Sequence, residues 1–167
     1  MREEDAPEEK LRAENLIRES LGKVMEIEKK LTSLYNILQV ARDTVDVIER
    51  EKAFENKILI NTSGGRKPQA LRALFGAYAR HSMIEKIVYI TEEDNEILEL
   101  PILSFPILET KKMILFEIEK GEKYVPSLAK RVGISRGMAY NHVKDLKDAD
   151  YITEELEITT AGRLAIL

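Results

Sequence analysis

Three short helical patterns, separated by two glycine-containing turns, follow one another in the C-terminal third of the chain and constrain its fold most. Glu109–Lys120 has an apolar face and stops at Gly121, and Pro126–Val132 is a second short amphipathic segment. Gly133 can adopt the positive φ that ends a helix, so the third helix is Ser135–Asp148. A short helix, a tight turn and a protruding third helix form a helix-turn-helix, whose last helix fits the major groove of DNA.

Two short apolar segments after the third helix extend this motif. Tyr151–Thr153 and Leu156–Ile158 flank Glu154 and Glu155, which predicts a small β-hairpin, and residues 159–163 begin a last helix. The pattern therefore predicts a winged helix-turn-helix. The acidic hairpin tip would repel phosphate, so we expect it to contribute little to DNA binding or to contact protein instead.

The outward positions of the third helix carry side chains of the types that commonly bind DNA. Arg136 offers a bidentate donor to a base edge, Asn141 an amide, and Lys144 an ammonium to a phosphate. Taken singly, each also fits an ordinary solvated face, and His142 fits either a backbone contact or a structural role. The predicted DNA-binding residues are Ser135, Arg136, Gly137, Tyr140, Asn141, Lys144, Lys130 and Arg131, with Lys111, Lys112 and Lys123 as candidates for flanking phosphates.

The charge distribution supports this interpretation although the total charge does not. The chain carries a formal net charge of −4, which on its own argues against a nucleic-acid partner. Residues 111–147, however, contain nine basic and four acidic side chains. A basic stretch of this kind inside an acidic protein is expected on the face that meets DNA.

Composition excludes several classes of function. The chain has no cysteine, so disulfides, thiolate zinc sites and cysteine nucleophiles are ruled out, and its two histidines make a metal centre unexpected. We expect no cofactor. No apolar run approaches a membrane span, and the polar start MREEDAPEEK lacks a signal-peptide core. The expected location is the cytoplasm, without membrane association.

The N-terminal third is predicted to be helical. Residues 9–53 contain no proline and one glycine, Gly22, which allows either one long helix or two helices broken there. Alternating steps of three and four form an a/d stripe of apolar positions. The prediction favours a partner helix from a second subunit, hence a homodimer, over packing within one chain. The stripe comprises Leu31, Leu34, Leu38, Ala41, Val45 and Ile48.

The apolar pattern changes its period in the middle of the chain. Residues 57–61 and 86–91 are short apolar runs that predict buried strands, and residues 97–100 predict a third strand or strand end. A helix from Pro68 to about Arg80 connects the first two, which implies a parallel pair.

The loop between the first strand and this helix is a candidate anion site. Backbone amides and the helix N-terminus attract a phosphate, and two glycines permit its close approach. The spacing matches neither the Walker A nor the GxGxxG pattern, so an ordinary tight turn is an equally good interpretation. The predicted ligand-binding residues are Thr62, Ser63, Gly64, Gly65, Arg66 and Lys67.

The segment ILINTSGGRKPQALRALFGAYARHSMIEKIVYITEEDNEILELPIL resembles the latter part of a CARF domain, the CRISPR-associated Rossmann fold. Its N-x-[ST]-x-G-x-[RK] loop after a hydrophobic strand is similar to the CARF ligand loop, and CARF followed by a winged helix is typical of CRISPR-associated transcriptional regulators. The resemblance implies a dimer whose loops face across a two-fold axis, and a nucleotide ligand such as a cyclic oligoadenylate. A full CARF domain opens with a strand and a glycine-containing loop; in this sequence that region is missing or is replaced by the helices of residues 9–53.

The expected fold class is therefore α/β plus α+β. Residues 1–103 form a long helical segment and a partial Rossmann-like parallel sheet, which serve sensing and dimerisation, and residues 107–167 form the winged helix-turn-helix. The expected function is that of a dimeric regulator that binds double-stranded DNA, with a nucleotide ligand as candidate effector. The alternatives are a winged-helix protein-interaction module and a CARF-type ring nuclease. We expect no enzyme activity and assign no catalytic residue.

Overall fold

The computed structural model describes residues 8–33, 35–64 and 67–167. The chain forms two compact units, Met1–Leu31 and Thr32–Leu167. In the described ranges, no helix has the length and apolar character needed to cross a membrane.

The first unit contains one helix, α1 (Glu8–Leu21). The helix ends before Gly22, where a Cβ atom would lie only 2.4 Å from the carbonyl oxygen of Arg18. Glu14 pairs with Arg18 (3.1 Å) and with Lys29 (2.6 Å), and these contacts hold the following segment against the helix. Of the two alternatives predicted for residues 9–53, the broken helix is the one observed.

The second helix begins later than the sequence pattern suggests. Helix α2 (Ile37–Ala53) starts where the Asn36 side chain accepts a hydrogen bond from the backbone N–H of Gln39 (3.0 Å). Leu31 of the a/d stripe therefore precedes the helix, and Leu34 lies outside the described residues. Asparagine caps a helix because its oxygen satisfies a backbone donor of the first turn, and this local interaction overrides the continuous heptad spacing.

The second unit contains a three-stranded sheet in the order β1 (Leu59–Asn61), β2 (Lys86–Ile90) and β3 (Ile97–Leu100). Strands β1 and β2 are parallel and are connected through α3 (Lys67–Ala79) and a short 3₁₀ turn at His81–Met83, which confirms the predicted parallel pair. Strand β3 runs antiparallel to β2, so the sheet is mixed rather than wholly parallel. A crossover helix is needed to bring a parallel strand alongside, and the six residues between β2 and β3 are too few to form one.

Helices α2 and α3 pack closely at Gly76. A Cβ atom there would lie 2.5 Å from the carbonyl oxygen of Ala41 and 2.7 Å from Cβ of Thr44. Ala41, Val45 and Ile48 of the stripe are buried, and Ile48 belongs to a core cluster that includes Ile87 of β2. This part of the stripe is therefore buried within the chain. Of the two predicted alternatives, packing within one chain is observed here, although the sequence favoured a partner helix from a second subunit.

The C-terminal elements are α4 (Glu109–Glu119), α5 (Val125–Val132), α6 (Arg136–Asp148) and α7 (Thr160–Ala165). Gly133 has φ +75° at the end of α5, and the Ser135 hydroxyl accepts a hydrogen bond from the N–H of Met138 (3.2 Å) at the start of α6. The predicted hairpin strands are reduced to one antiparallel bridge between Ile152 and Ile158. The mixed sheet followed by a helix-turn-helix confirms the predicted fold class.

The close approach at Gly76 gives a stability prediction. We expect Gly76→Ala to lower the free energy of unfolding by about 1–3 kcal/mol, because α2 must move to accommodate the methyl group. Urea unfolding followed by circular dichroism measures the change. The control is Gly137→Ala in α6, where no atom lies within 4 Å of the new Cβ. It should be neutral or stabilising by up to about 1 kcal/mol; equal effects of the two substitutions would contradict the prediction.

Candidate functional site

Helix α6 has one buried and one exposed face. Ala139, Val143 and Leu146 point into the core of the helix-turn-helix, where Val143 and Leu146 join a cluster with Leu115 and Leu128. The positions that the sequence predicted for DNA contact on this helix all lie on its exposed face: Arg136, Gly137, Tyr140, Asn141 and Lys144. Ser135, also predicted, serves as the N-cap of the helix.

Three cations on α5 and α6 are available to a ligand. Lys130, Arg136 and Lys144 are exposed and make no ion pair or side-chain hydrogen bond within the part of the chain that the structure describes. Because none of the three is held in an ion pair, they are the side chains best able to bind phosphate oxygens or base edges.

Most other cations of the basic stretch form ion pairs with carboxylates of the same chain. Five of the nine basic residues in 111–147 form ion pairs. The pairs are Lys111 with Asp145 (2.9 Å), Lys120 with Glu117 (2.6 Å), Lys123 with Glu157 (2.6 Å), Arg131 with Glu117 (2.8 Å) and Lys147 with Glu154 (2.7 Å). Two of the carboxylates belong to the hairpin, beyond the stretch itself. The local excess of positive charge is therefore smaller than the sequence count suggests.

Arg131 lies in a cluster that joins α4 to α5. Its guanidinium contacts Glu117 (2.8 Å) and Glu122 (3.1 Å), whose side chains are only 17% and 15% exposed. The Ser127 hydroxyl donates to Glu122 (2.6 Å), and these contacts close the turn before α5. The hydrogen bond with Glu117 raises the pKa of Arg131. Arg131 therefore forms part of the contact between α4 and α5 in this structure. Its role in DNA binding stays a prediction.

His142 faces α4 rather than the exposed side of α6. Its Nε2 lies 3.4 Å from the hydroxyl oxygen of Thr110, and its Nδ1 is buried. Of the two predicted alternatives, this placement agrees with a structural role.

The loop after β1 is fastened to the sheet by its own hydroxyl groups. The Asn61 side chain accepts hydrogen bonds from the N–H (2.9 Å) and the hydroxyl (2.6 Å) of Ser63. The Ser63 oxygen in turn accepts from the N–H of Ile90 (2.5 Å), and Thr62 donates to the carbonyl oxygen of Val88 (3.1 Å). These two hydroxyls, expected to contact a ligand, hold the loop in place in this structure.

At Gly64 the described part of the loop leaves space for a ligand. Gly64 is exposed, and a Cβ atom there would meet nothing within 4 Å. Lys67 is exposed at the start of α3, while Gly65 and Arg66 lie outside the described residues. Ligand contacts from the described part of the loop can therefore come from its backbone and from the Lys67 ammonium.

The structure also contains a cavity that the sequence did not reveal. It measures about 390 Å³ and lies between α3, the segment before α4, and α7. Phe75, Tyr78, Phe105 and Tyr151 line it, together with Lys112. These residues are far apart in sequence and follow no common spacing, so no pattern in the chain indicated them.

The elements described above define a Rossmann-like sheet region followed by a winged helix-turn-helix. Two protein-family models match the chain. Residues 9–103 match the family model of CRISPR-associated protein (Cas_APE2256), a CARF-type domain, and residues 109–154 match the model of bacterial regulatory protein, arsR family. The chain belongs to the CRISPR-associated Cas_APE2256 family, and the resemblance to CARF plus winged helix-turn-helix regulators is confirmed. No curated protein matches the sequence.

The cluster around Arg131 predicts a dependence of stability on pH. Hydrogen bonds from Lys120 and Arg131 lower the pKa of Glu117, and hydrogen bonds from the Ser127 hydroxyl and the Tyr124 N–H lower the pKa of Glu122. A carboxylate whose pKa is lowered by folding stabilises the protein fully above its unfolded pKa, about 4.3, and loses that contribution as the pH falls through the folded value.

We therefore expect Glu122→Gln to destabilise the protein at pH 7, with the difference from wild type shrinking below about pH 4.3. Urea unfolding at pH 7, 5 and 3.5 measures this. Glu92→Gln, at an exposed turn position, is the control and should match wild type throughout. If Glu122→Gln lowered the free energy of unfolding by the same amount at all three pH values, the predicted role of the Glu122 carboxylate would be wrong.

Proposed function

We propose that this protein is a dimeric, DNA-binding transcriptional regulator. Its helix-turn-helix, residues 107–167, contacts an operator through α6, and its CARF-type region, residues 1–103, responds to a nucleotide ligand. The observation that carries the proposal is the exposed face of α6, where Arg136 and Lys144 are unpaired and Asn141 is accessible.

The chemistry of this face suits the major groove. An arginine can donate two parallel hydrogen bonds to guanine, and an asparagine can pair in the same way with adenine. Tyr140, 55% exposed, adds a hydroxyl and a ring edge on the same face. Lys130 is exposed on α5, which packs against α6, and it fits a flanking phosphate. Phosphate contacts of this kind fix the register of a recognition helix on DNA.

Dimerisation is supported by the sheet and by the needs of operator recognition. A helix-turn-helix commonly binds two half-sites about one helical turn apart, so a dimer matches a palindromic operator. Strands β1 and β3 are the two edges of the sheet, and Leu59 and Ile97 on them are 58% and 67% exposed, so a second molecule can reach both edges. Because Ala41, Val45 and Ile48 of the a/d stripe are buried within the chain, we assign dimerisation to surfaces other than that part of the stripe.

The DNA-binding prediction is tested with the full chain and DNA from the region upstream of its own gene. We expect Arg136→Ala to weaken binding by about 1–3 kcal/mol, because a base-edge contact is lost. Lys130→Gln should weaken binding to all sequences and reduce the slope of log affinity against log salt by about 1 per subunit. Gel shifts or fluorescence anisotropy at several salt concentrations measure both effects.

The matched control is Lys120→Gln, at the residue that follows α4, which removes a lysine already paired with Glu117. It should leave the affinity for DNA close to that of wild type. If Arg136→Ala combined with Lys144→Ala left DNA affinity unchanged, the motif would instead serve a protein partner. Absence of salt-sensitive DNA binding by the wild-type protein would refute the proposal.

The nucleotide ligand is tested separately by calorimetry with a cyclic oligoadenylate. The Gly64 backbone and the Lys67 side chain are the described groups that remain open for contact, so we expect Lys67→Ala to weaken binding roughly tenfold. Thr62→Val should act mainly by loosening the loop, because its hydroxyl bonds to Val88. Recovery of the intact cyclic nucleotide after incubation is expected, and a linear product would favour the ring-nuclease alternative.

A further inference from the structure

A large share of the chain's aromatic side chains lines the cavity between α3 and the helix-turn-helix. The chain contains only six tyrosines and four phenylalanines. Four of these ten rings, Phe75, Tyr78, Phe105 and Tyr151, line this one space. Tyr78 and Phe105 meet edge to face, with ring centroids 6.0 Å apart and planes at 71°. A lining of this type offers both ring faces and ring edges to a flat apolar ligand.

The cavity is suited to a small molecule rather than to water. Its volume of about 390 Å³ falls within the range of small-molecule sites, about 300–1,000 Å³. Phe105 remains 61% exposed and Phe75 41% exposed at its wall. Exposed aromatic rings that border a concave, mostly apolar space are typical of a ligand site that is formed in advance.

One positive charge is available to this space. Lys112 of α4 is half-buried at the wall, and it has no ion pair or side-chain hydrogen bond to any of the residues described. Its neighbour Lys111 is paired with Asp145, so the two lysines differ in environment although they are adjacent in sequence. A half-buried ammonium beside apolar walls attracts an anion more strongly than an exposed one does, because water screens it less.

We propose that this cavity binds a small aromatic carboxylic acid. The ring lies among the four aromatic side chains, and the carboxylate pairs with the Lys112 ammonium. This site is separate from the Gly64 loop: it is built from the C-terminal half of α3, the chain segment before α4, and α7, whereas the loop precedes α3 at the end of β1. The proposal does not depend on DNA binding or on a nucleotide effector.

Fluorine NMR of the full chain with 4-(trifluoromethyl)benzoate tests the proposal, with the neutral 4-(trifluoromethyl)benzamide as the matched ligand. Both probes have the same ring and nearly the same shape, and they differ in charge. We expect the acid to bind roughly tenfold more tightly than the amide, since a hydrogen bond to a charged group contributes about that factor.

Protein variants test the contribution of the Lys112 charge and that of the cavity volume separately. Lys112→Met should reduce binding of the acid to that of the amide, and Lys112→Arg should restore most of it. Ala161→Leu, which adds three carbon atoms at the cavity wall, should weaken both probes. Lys57→Met is the control for removing a lysine elsewhere, because Lys57 lies on the surface beside Glu85 and not at the cavity.

The outcomes decide the proposal clearly. Preference for the acid in wild type, lost in Lys112→Met and kept in Lys112→Arg and Lys57→Met, supports it. Equal binding of acid and amide, or wild-type binding by Ala161→Leu, overturns it. If Lys112→Met is unfolded in its melting curve, the comparison of acid with amide on wild type and Ala161→Leu still decides.

Discussion

The close contact of α2 with α3 is the interaction on which the rest of the second unit depends. At Gly76 the two backbones approach until a single methyl group would collide with the Ala41 carbonyl. This approach lets Ala77, which is fully buried, and Ile48 share one core with Ile87 of the sheet. Helix α7 contacts both α2 and α3, so the same pair of helices forms the surface on which the helix-turn-helix rests. A van der Waals constraint at one glycine thus sets the spacing of the two helices that α7 contacts.

Local interactions made much of the fold predictable from the sequence. The turn between α5 and α6 depends on Gly133, which has a positive φ, and on Ser135, which caps the helix that follows it. Each acts within a few residues of its own position, so the pattern alone identifies it. The parallel pair of strands was predictable for a related reason, because a helix of sufficient length separates them in the chain. Where a local cap at Asn36 competed with a long heptad pattern, the cap determined where α2 begins.

Contacts between distant residues were not predictable in the same way. The stripe of Ala41, Val45 and Ile48 has the spacing of a helix that meets another helix, and that spacing is the same whether the partner is α3 or a second subunit. Likewise, the sequence counts Arg131 as a free cation, since Glu117 and Glu122 lie 14 and 9 positions away. The aromatic cavity depends on side chains from four separate segments. Only the packed chain shows which of these groups meet.

The ion pairs within the helix-turn-helix bear on how such a regulator finds its site. Affinity for random DNA grows with the number of phosphates that a protein neutralises, and here the paired lysines are not free to neutralise any without first breaking internal bonds. Lys130, Arg136 and Lys144 are the exposed cations of residues 111–147 that form no ion pair within the part of the chain that the structure describes. Under the proposed function, so small a set of unpaired cations predicts weak binding to non-cognate sequence and leaves base recognition to set the time spent at one place.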